Sequence, residues 1–153
     1  MKNSTMTQEE KDLLIKDLCA RLPYGVKIAM PGLWDNKITI ESLTEIFKGD
    51  DGLFRVNGNG HCIEYIKPYL FPLSSMTDEM LEELNANGFF KYRDTIANVS
   101  HLESKSGINE EIYTYIDIEC ISFLIKYFHS NHIDYKGFIE TGLAIDATGL
   151  NIY

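Results

Sequence analysis

The stretch from Lys67 to Met80 limits the architecture of this chain more than any other. Pro68 and Pro72 lack the backbone N–H and hold φ near −65°, so no regular helix can run through both. Tyr69, Leu70 and Phe71 read as the exit of a strand into a proline-braced, aromatic-rich connector. Thr77 then supplies an N-cap for a helix over Asp78 to Asn85, with Met80, Leu81 and Leu84 as its apolar side. The connector therefore separates a β-rich part, about residues 23–75, from a helical part, about 76–153. At 153 residues the chain is long enough to bury one self-sufficient core.

Upstream, Thr7-Gln8-Glu9-Glu10 forms a capping box, in which the Thr7 hydroxyl accepts from the Glu10 amide and the Glu10 carboxylate reaches back. Leu14, Leu18 and Leu22 recur at i, i+4 and i+8 with Ile15 and Cys19 alongside, which predicts an amphipathic first helix. Pro23 stops it and Tyr24-Gly25 makes the turn. Val26 to Met30, Lys37 to Ile40, Leu53 to Val56 and His61 to Ile66 read as strands, with turns at Asp35-Asn36, Gly49 to Gly52 and Asn57 to Gly60. Glu41 to Lys48 is ambiguous, although Leu43, Ile46 and Phe47 fit helical spacing better.

Downstream, Asn87-Gly88 closes the second helix. Phe89 to Val99 reads as an extended segment or strand pair, and His101 to Gly107 as a polar loop. Asn109 can cap a third helix near Glu110 to Ser130, whose Ile118, Ile121, Leu124, Ile125 and Phe128 follow the 3.6-residue period. Asp134 can cap a short final helix, Tyr135 to Thr141, closed by Gly142. The expected fold is α+β: an N-terminal helix, a small antiparallel β-meander and a helical C-terminal half.

Three blocks look familiar: Leu18 to Val26, Lys67 to Leu70 with Pro72 to Thr77, and His132 to Ala144. In this order they resemble a group of small proteins encoded by phages, prophages and mobile elements of gut Bacteroidetes. The similarity touches about a third of the chain, and Met30 to Gly60 and Phe89 to Ile118 match less well. What the resemblance implies is a setting, that of a phage or mobile-element accessory protein. It implies no activity and carries no catalytic residue with it.

Charge narrows the partners. The formal net charge is −9. Residues 76–153 hold five basic and thirteen acidic side chains, against five and six over residues 23–75. A field of that sign repels phosphate backbones, so direct nucleic-acid binding is disfavoured; it suits a basic protein partner, a nucleic-acid mimic, or plain solubility. No apolar run approaches the roughly 20 residues of a membrane span. The N-terminus shows no apolar signal region, which predicts a cytoplasmic protein, in a bacterial host if the setting implied by the resemblance holds. Cys19, Cys62 and Cys120 are widely spaced and form no Cys-x-x-Cys pair, so they read as core positions and not as metal or redox ligands.

Candidate chemistry is sparse. His129 and His132, at i and i+3, with Asp134 form the best metal-like cluster, but histidines at a helix end also satisfy its last carbonyls. His61 and Cys62 point to opposite faces of a strand, which is a poor geometry for a nucleophile and its base. Asn57-Gly58-Asn59-Gly60 lacks the lysine of a phosphate loop and reads as a turn. Asp78, Glu79, Glu82 and Glu83 make an acidic helix face, and like charges at i, i+4 gain from a basic partner. Trp34, Tyr65, Tyr69 and Phe71 lie in or beside the β region, where they line a partner groove or close the core.

The expected function is a non-enzymatic accessory protein that binds a host or phage protein with a basic surface, with no cofactor. Its surface combines Tyr69 and Phe71 with Asp78, Glu79, Glu82 and Glu83, and a homo-oligomer is left open. The alternative is a small-molecule- or metal-binding protein, or a hydrolase, using His61, His101 or the His129/His132 pair.

Overall fold

A computed structural model describes residues 6–32, 37–58, 60–92, 95–98 and 118–153. Trp34, the Asp35-Asn36 turn, Asn59, the 101–107 loop with His101, and the Asn109 cap lie outside the described residues, as does the side chain of Cys120. The fold is mixed α+β, with an N-terminal helix, antiparallel strands in sheets and a C-terminal helix. It divides into two compact units, one running up to Pro72 and resuming at Phe128, the other spanning Leu73–Tyr127. No helix among the described residues is long and apolar enough to cross a membrane.

In the first unit, helix α1 (Gln8–Arg21) starts on the expected capping box, with Thr7 N donating to Glu10 Oε2 at 2.7 Å and Glu10 N to Thr7 Oγ1 at 3.2 Å. Its buried face is Leu14, Asp17, Leu18 and Arg21, while Leu13 and Cys19 are exposed. The apolar stripe thus contains a charged pair that periodicity alone does not reveal, and Cys19 is not a core residue. Gly25 closes the following 3₁₀ turn at φ 65°, a left-handed conformation that glycine adopts without steric cost.

Strands β1 (Lys27–Pro31) and β2 (Ile38–Ser42) pair antiparallel, with Lys27 opposite Ser42 and Pro31 opposite Ile38. Strands β3 (Ile46–Lys48), β4 (Phe54–Val56) and β5 (His61–Cys62) form a separate antiparallel meander. The segment that favoured helical spacing, Glu41 to Lys48, is therefore extended. Leu43 N donates to Val26 O, and the Asn57 amide accepts from Thr44 N and donates to Ser42 O, so neighbours outside the segment take its backbone groups. After Cys62 the expected strand gives way to a 3₁₀ turn over Ile63–Tyr65.

The proline-braced segment is not a connector but strand β6 (Lys67–Pro72), central to the main sheet. It meets β1 antiparallel only at Lys67 and Pro68. Its other partners are parallel: β10 (Ile145–Asp146) beside Tyr69 and Leu70, and β9 (Ile133–Asp134) beside Phe71 and Pro72. The prolines sit near the strand ends, where a missing donor costs the ladder least. Ile28, Met30, Leu70, Leu14, Leu18 and Phe138 join one core cluster, and Ala29, Tyr69 and Ala147 form a smaller one. The expected final helix is absent. Gly137 at φ 74° interrupts Tyr135 to Thr141, which folds as consecutive turns.

In the second unit, α2 (Asp78–Ala86) begins at Thr77, whose Oγ1 accepts from Met80 N. The hairpin β7 (Phe89–Tyr92) and β8 (Thr95–Asn98) follows, with Tyr92 opposite Thr95. Helix α3 (Ile118–Ser130) begins in this unit and gives its last turn, from Phe128, to the first. The Phe123 ring lies 5.9 Å from Phe89 and 6.0 Å from Tyr127, an aromatic run along the helix. The C-terminal half is thus only partly helical, since β7 to β10 lie within it.

Candidate functional site

Helix α1 delivers Asp17 and Arg21, four residues apart and each 0 % exposed, to the end of α3 and the loop beyond it. Arg21 Nε donates to Asp17 Oδ2 at 2.7 Å, Nη2 to Ile133 O at 2.8 Å and Nη1 to Phe128 O at 3.4 Å. Lys136 Nζ stands 3.2 Å from Asp17 Oδ1, a second cation for the same carboxylate. The His129 Nε2 is 3.0 Å from the Tyr135 hydroxyl and 3.8 Å from Asp17 Oδ1. Arg21 thereby takes two backbone carbonyls of the C-terminal segment and pins both to α1. Only a guanidinium, with its fork of donors, can serve the carboxylate and both carbonyls at once.

Burial, then the charge of Arg21, pushes His129 below the ordinary imidazole range, which keeps it neutral beside two cations. His132 is lowered to about 4, first by burial and then by the charges of Arg21 and Lys27. Its ring stacks on Tyr153 at 4.0 Å, and its Nδ1 has no hydrogen-bond partner among the described residues. Asp134 faces elsewhere: its two carboxylate oxygens accept from Phe138 N at 3.0 Å and Ile139 N at 2.8 Å. The metal-like trio of the sequence is therefore spread over three separate tasks. Among the described residues no group of three or more His, Cys, Asp or Glu side chains is placed to hold a metal ion.

The state of His132 has a consequence for pH. The unfolded imidazole protonates near 6.5, whereas the folded ring resists until about 4. Between those values the unfolded state binds more protons, so this group's contribution falls as pH drops from about 6.5 toward 4 and is intact above 6.5. The expected loss is about 2 kcal/mol, reduced from the full shift because the ring retains some contact with solvent. His132 has φ 56°, which asparagine tolerates, so His132→Asn tests the point without backbone strain. Urea titrations at pH 7 and 4.5 are expected to show a smaller pH-dependent loss in the variant. Equal losses would exclude His132 as the source.

The aromatic candidates separate. Tyr69 is 6 % exposed, packed with Ala29 and Ala147, and its carbonyl accepts from the Tyr153 hydroxyl at 2.5 Å. That placement withdraws its ring from any partner surface. Phe71 is half-buried, 5.5 Å from the Tyr153 ring. Asp78, Glu79, Glu82 and Glu83, by contrast, are all exposed on α2. None of the four forms a salt bridge among the described residues, where every ion pair belongs to the other unit. Asp78 and Glu79 occupy the first turn, where the helix dipole favours them; Glu82 and Glu83 stand one turn on, at like-charge i, i+4 spacing. Glu83 lies beside the Tyr127 hydroxyl, which burial and then that carboxylate's charge raise to about 12.

A cleft of about 310 Å³ opens between α1 and the meander, lined by Lys11, Asp12, Ile15, Lys48, Phe54 and Cys62 among others. Lys11 is ion-paired with Glu64 at its wall. No histidine is among the lining side chains of the described residues, so none of them gives Cys62 an imidazole base there. Comparison of the chain with protein-family models, curated proteins and solved structures finds no match.

Proposed function

We propose that this chain is a non-enzymatic interaction protein whose binding surface is the acidic face of α2. Its partner is a protein with a complementary basic surface. The observation that carries the reading is the exposure of Asp78, Glu79, Glu82 and Glu83 without a cation opposite them among the described residues. Carboxylates at i, i+4 repel, and a basic partner relieves that repulsion while steering encounter. Tyr69 is left out because its ring is core. The setting, an accessory protein of a phage or mobile element acting in the bacterial cytoplasm, rests on the resemblance of the three sequence blocks alone.

A catalytic or metal-binding role for the His129/His132 pair is disfavoured by burial. His129 and His132 are enclosed, and each ring is engaged by a tyrosine. Glu79→Lys with Glu82→Lys, which spares the carboxylate beside Tyr127, is expected to weaken partner binding at least about tenfold. The melting temperature should stay nearly unchanged, because exposed substitutions away from packed features have small effects. Titration of the partner against wild type and variant reads this directly. Equal affinities would remove the acidic face from the account.

A further inference from the structure

We infer that the outer edge of β2 is a dimer seam, which pairs antiparallel with β2 of a second copy of this chain. Among the described residues β2 ends its sheet, with β1 on one side and no strand on the other. It carries the most exposed aliphatic pair of the unit, Ile38 at 60 % and Ile40 at 46 %. A long edge with outward isoleucines and unsatisfied backbone groups is a template for strand addition.

Hydrogen-bond parity fixes which groups that edge offers. At either end of the β1–β2 ladder, Gly32 N donates to Lys37 O and Leu43 N to Val26 O, both at 2.8 Å. The intervening register then turns the backbone groups of Thr39 and Glu41 toward β1. Those of Ile38, Ile40 and Ser42 face outward, the Ser42 carbonyl already taken by the Asn57 amide and the groups of Ile38 and Ile40 left to the edge. A twofold antiparallel pair must match these outward residues with each other, and three registers do so with at least three residues of β2 paired. The one that sets Ile40 against Ser42 puts Glu41 opposite Glu41 and is disfavoured by like charge, which leaves two. One sets Ile40 against itself and places Thr39 against Glu41. The other sets Ile38 against Ile40, with Thr39 against Thr39 and Lys37 against Glu41.

Charge chooses between them. The second register gives two Lys–Glu cross-strand pairs, two Ile–Ile pairs and one Thr–Thr pair, all combinations that stabilise adjacent strands. Lys37 and Glu41 then fall in non-hydrogen-bonded pairs, where side chains approach most closely. The segment from Lys37 to Glu41 is thus complementary to its own antiparallel copy, which is what an isologous interface requires. A second copy fits it in side-chain pairing and charge together. The seam lies in the first unit and does not depend on the acidic face of α2.

The test is sedimentation equilibrium of the full chain over a concentration series, with two kinds of variant. Ile40→Pro removes an N–H that points outward and takes no part in the β1 ladder, a position where an edge strand tolerates proline. Glu41→Lys sets like charges opposite each other, and adding Lys37→Glu restores opposite signs in reversed order. The expected result is a dimer in the wild type, a dissociation constant raised about tenfold or more by Ile40→Pro and by Glu41→Lys, and recovery in the double charge swap. Circular dichroism confirms that each variant is folded, and the charge series decides the matter if the proline variant is not. A wild type that stays monomeric, leaving the edge to a strand of another protein, would overturn the inference. So would a dimer that Glu41→Lys leaves unchanged.

Discussion

Arg21→Ala is expected to destabilise the fold by about 3–5 kcal/mol, the cost of breaking a fully buried ion pair from one side. The loss has two sources that the geometry separates. Asp17, 0 % exposed, loses its closest cation and keeps Lys136 at 3.2 Å among the described residues. The carbonyls of Phe128 and Ile133 also lose their donor from α1. Replacing the pair by apolar residues, Asp17→Leu with Arg21→Met, removes the stranded charge but not the stranded carbonyls. That double variant should therefore recover only part of the loss, because an unsatisfied buried acceptor costs about 1–3 kcal/mol. Arg21→Lys should fall between, since one ammonium cannot span the carboxylate and both carbonyls. Urea denaturation of the four proteins reads these differences. A loss below about 1 kcal/mol for Arg21→Ala would show that the contacts are not what ties α1 to the C-terminal segment.

Asp134→Ala is expected to cost about 2–4 kcal/mol, because two enclosed amides lose a charge-assisted acceptor at once. Those amides, Phe138 N and Ile139 N, begin the turns that carry Phe138 into the main core. Asp134→Asn retains one side-chain oxygen and should lose roughly half as much. Hydrogen exchange at the Phe138 and Ile139 amides should accelerate in the alanine variant well before exchange in β1. Unchanged exchange at both would show that the carboxylate does not organise the loop. Added chelator should leave the melting temperature of wild type where it was, as expected of a carboxylate that caps backbone.

These two side chains also mark what can be read from sequence and what cannot. The start of α1 was legible because its capping box is a local pattern whose atoms lie within four residues. The N-cap of α2 and its exposed carboxylates were legible for the same reason. Asp17 and Arg21 also lie four residues apart, but on an exposed helix that spacing is an ordinary surface pair. Their burial depends on Ile133, more than a hundred residues away, and periodicity carries no such information. The same limit explains β6. Pro68 and Pro72 read as a connector because local propensity opposes strand interiors, whereas parallel pairing to β9 and β10 makes the segment a strand.

Tertiary context also decided the ambiguous stretches. Leu43, Ile46 and Phe47 fit a helical stripe in sequence, yet Asn57 and Val26 take the backbone of that region into extended structure. The final helix failed for a local reason that was visible: Gly137 sits within it, and its positive φ is incompatible with helical continuation. The carboxylates of α2 lie exposed, as their helical spacing predicts, whereas the Tyr69 ring lies in the core. Alternation along a single strand cannot reveal a core on both faces, and β6 packs on both, Leu70 into one cluster and Tyr69 into the other.

The most direct test of the binding account is paired affinity capture from nuclease-treated Bacteroidetes lysate, using wild type and Glu79→Lys with Glu82→Lys as baits. The account predicts a dominant, stoichiometric partner with a basic surface on the wild type, identified by mass spectrometry and lost from the variant. The same proteins on both baits, or none on either, would contradict it.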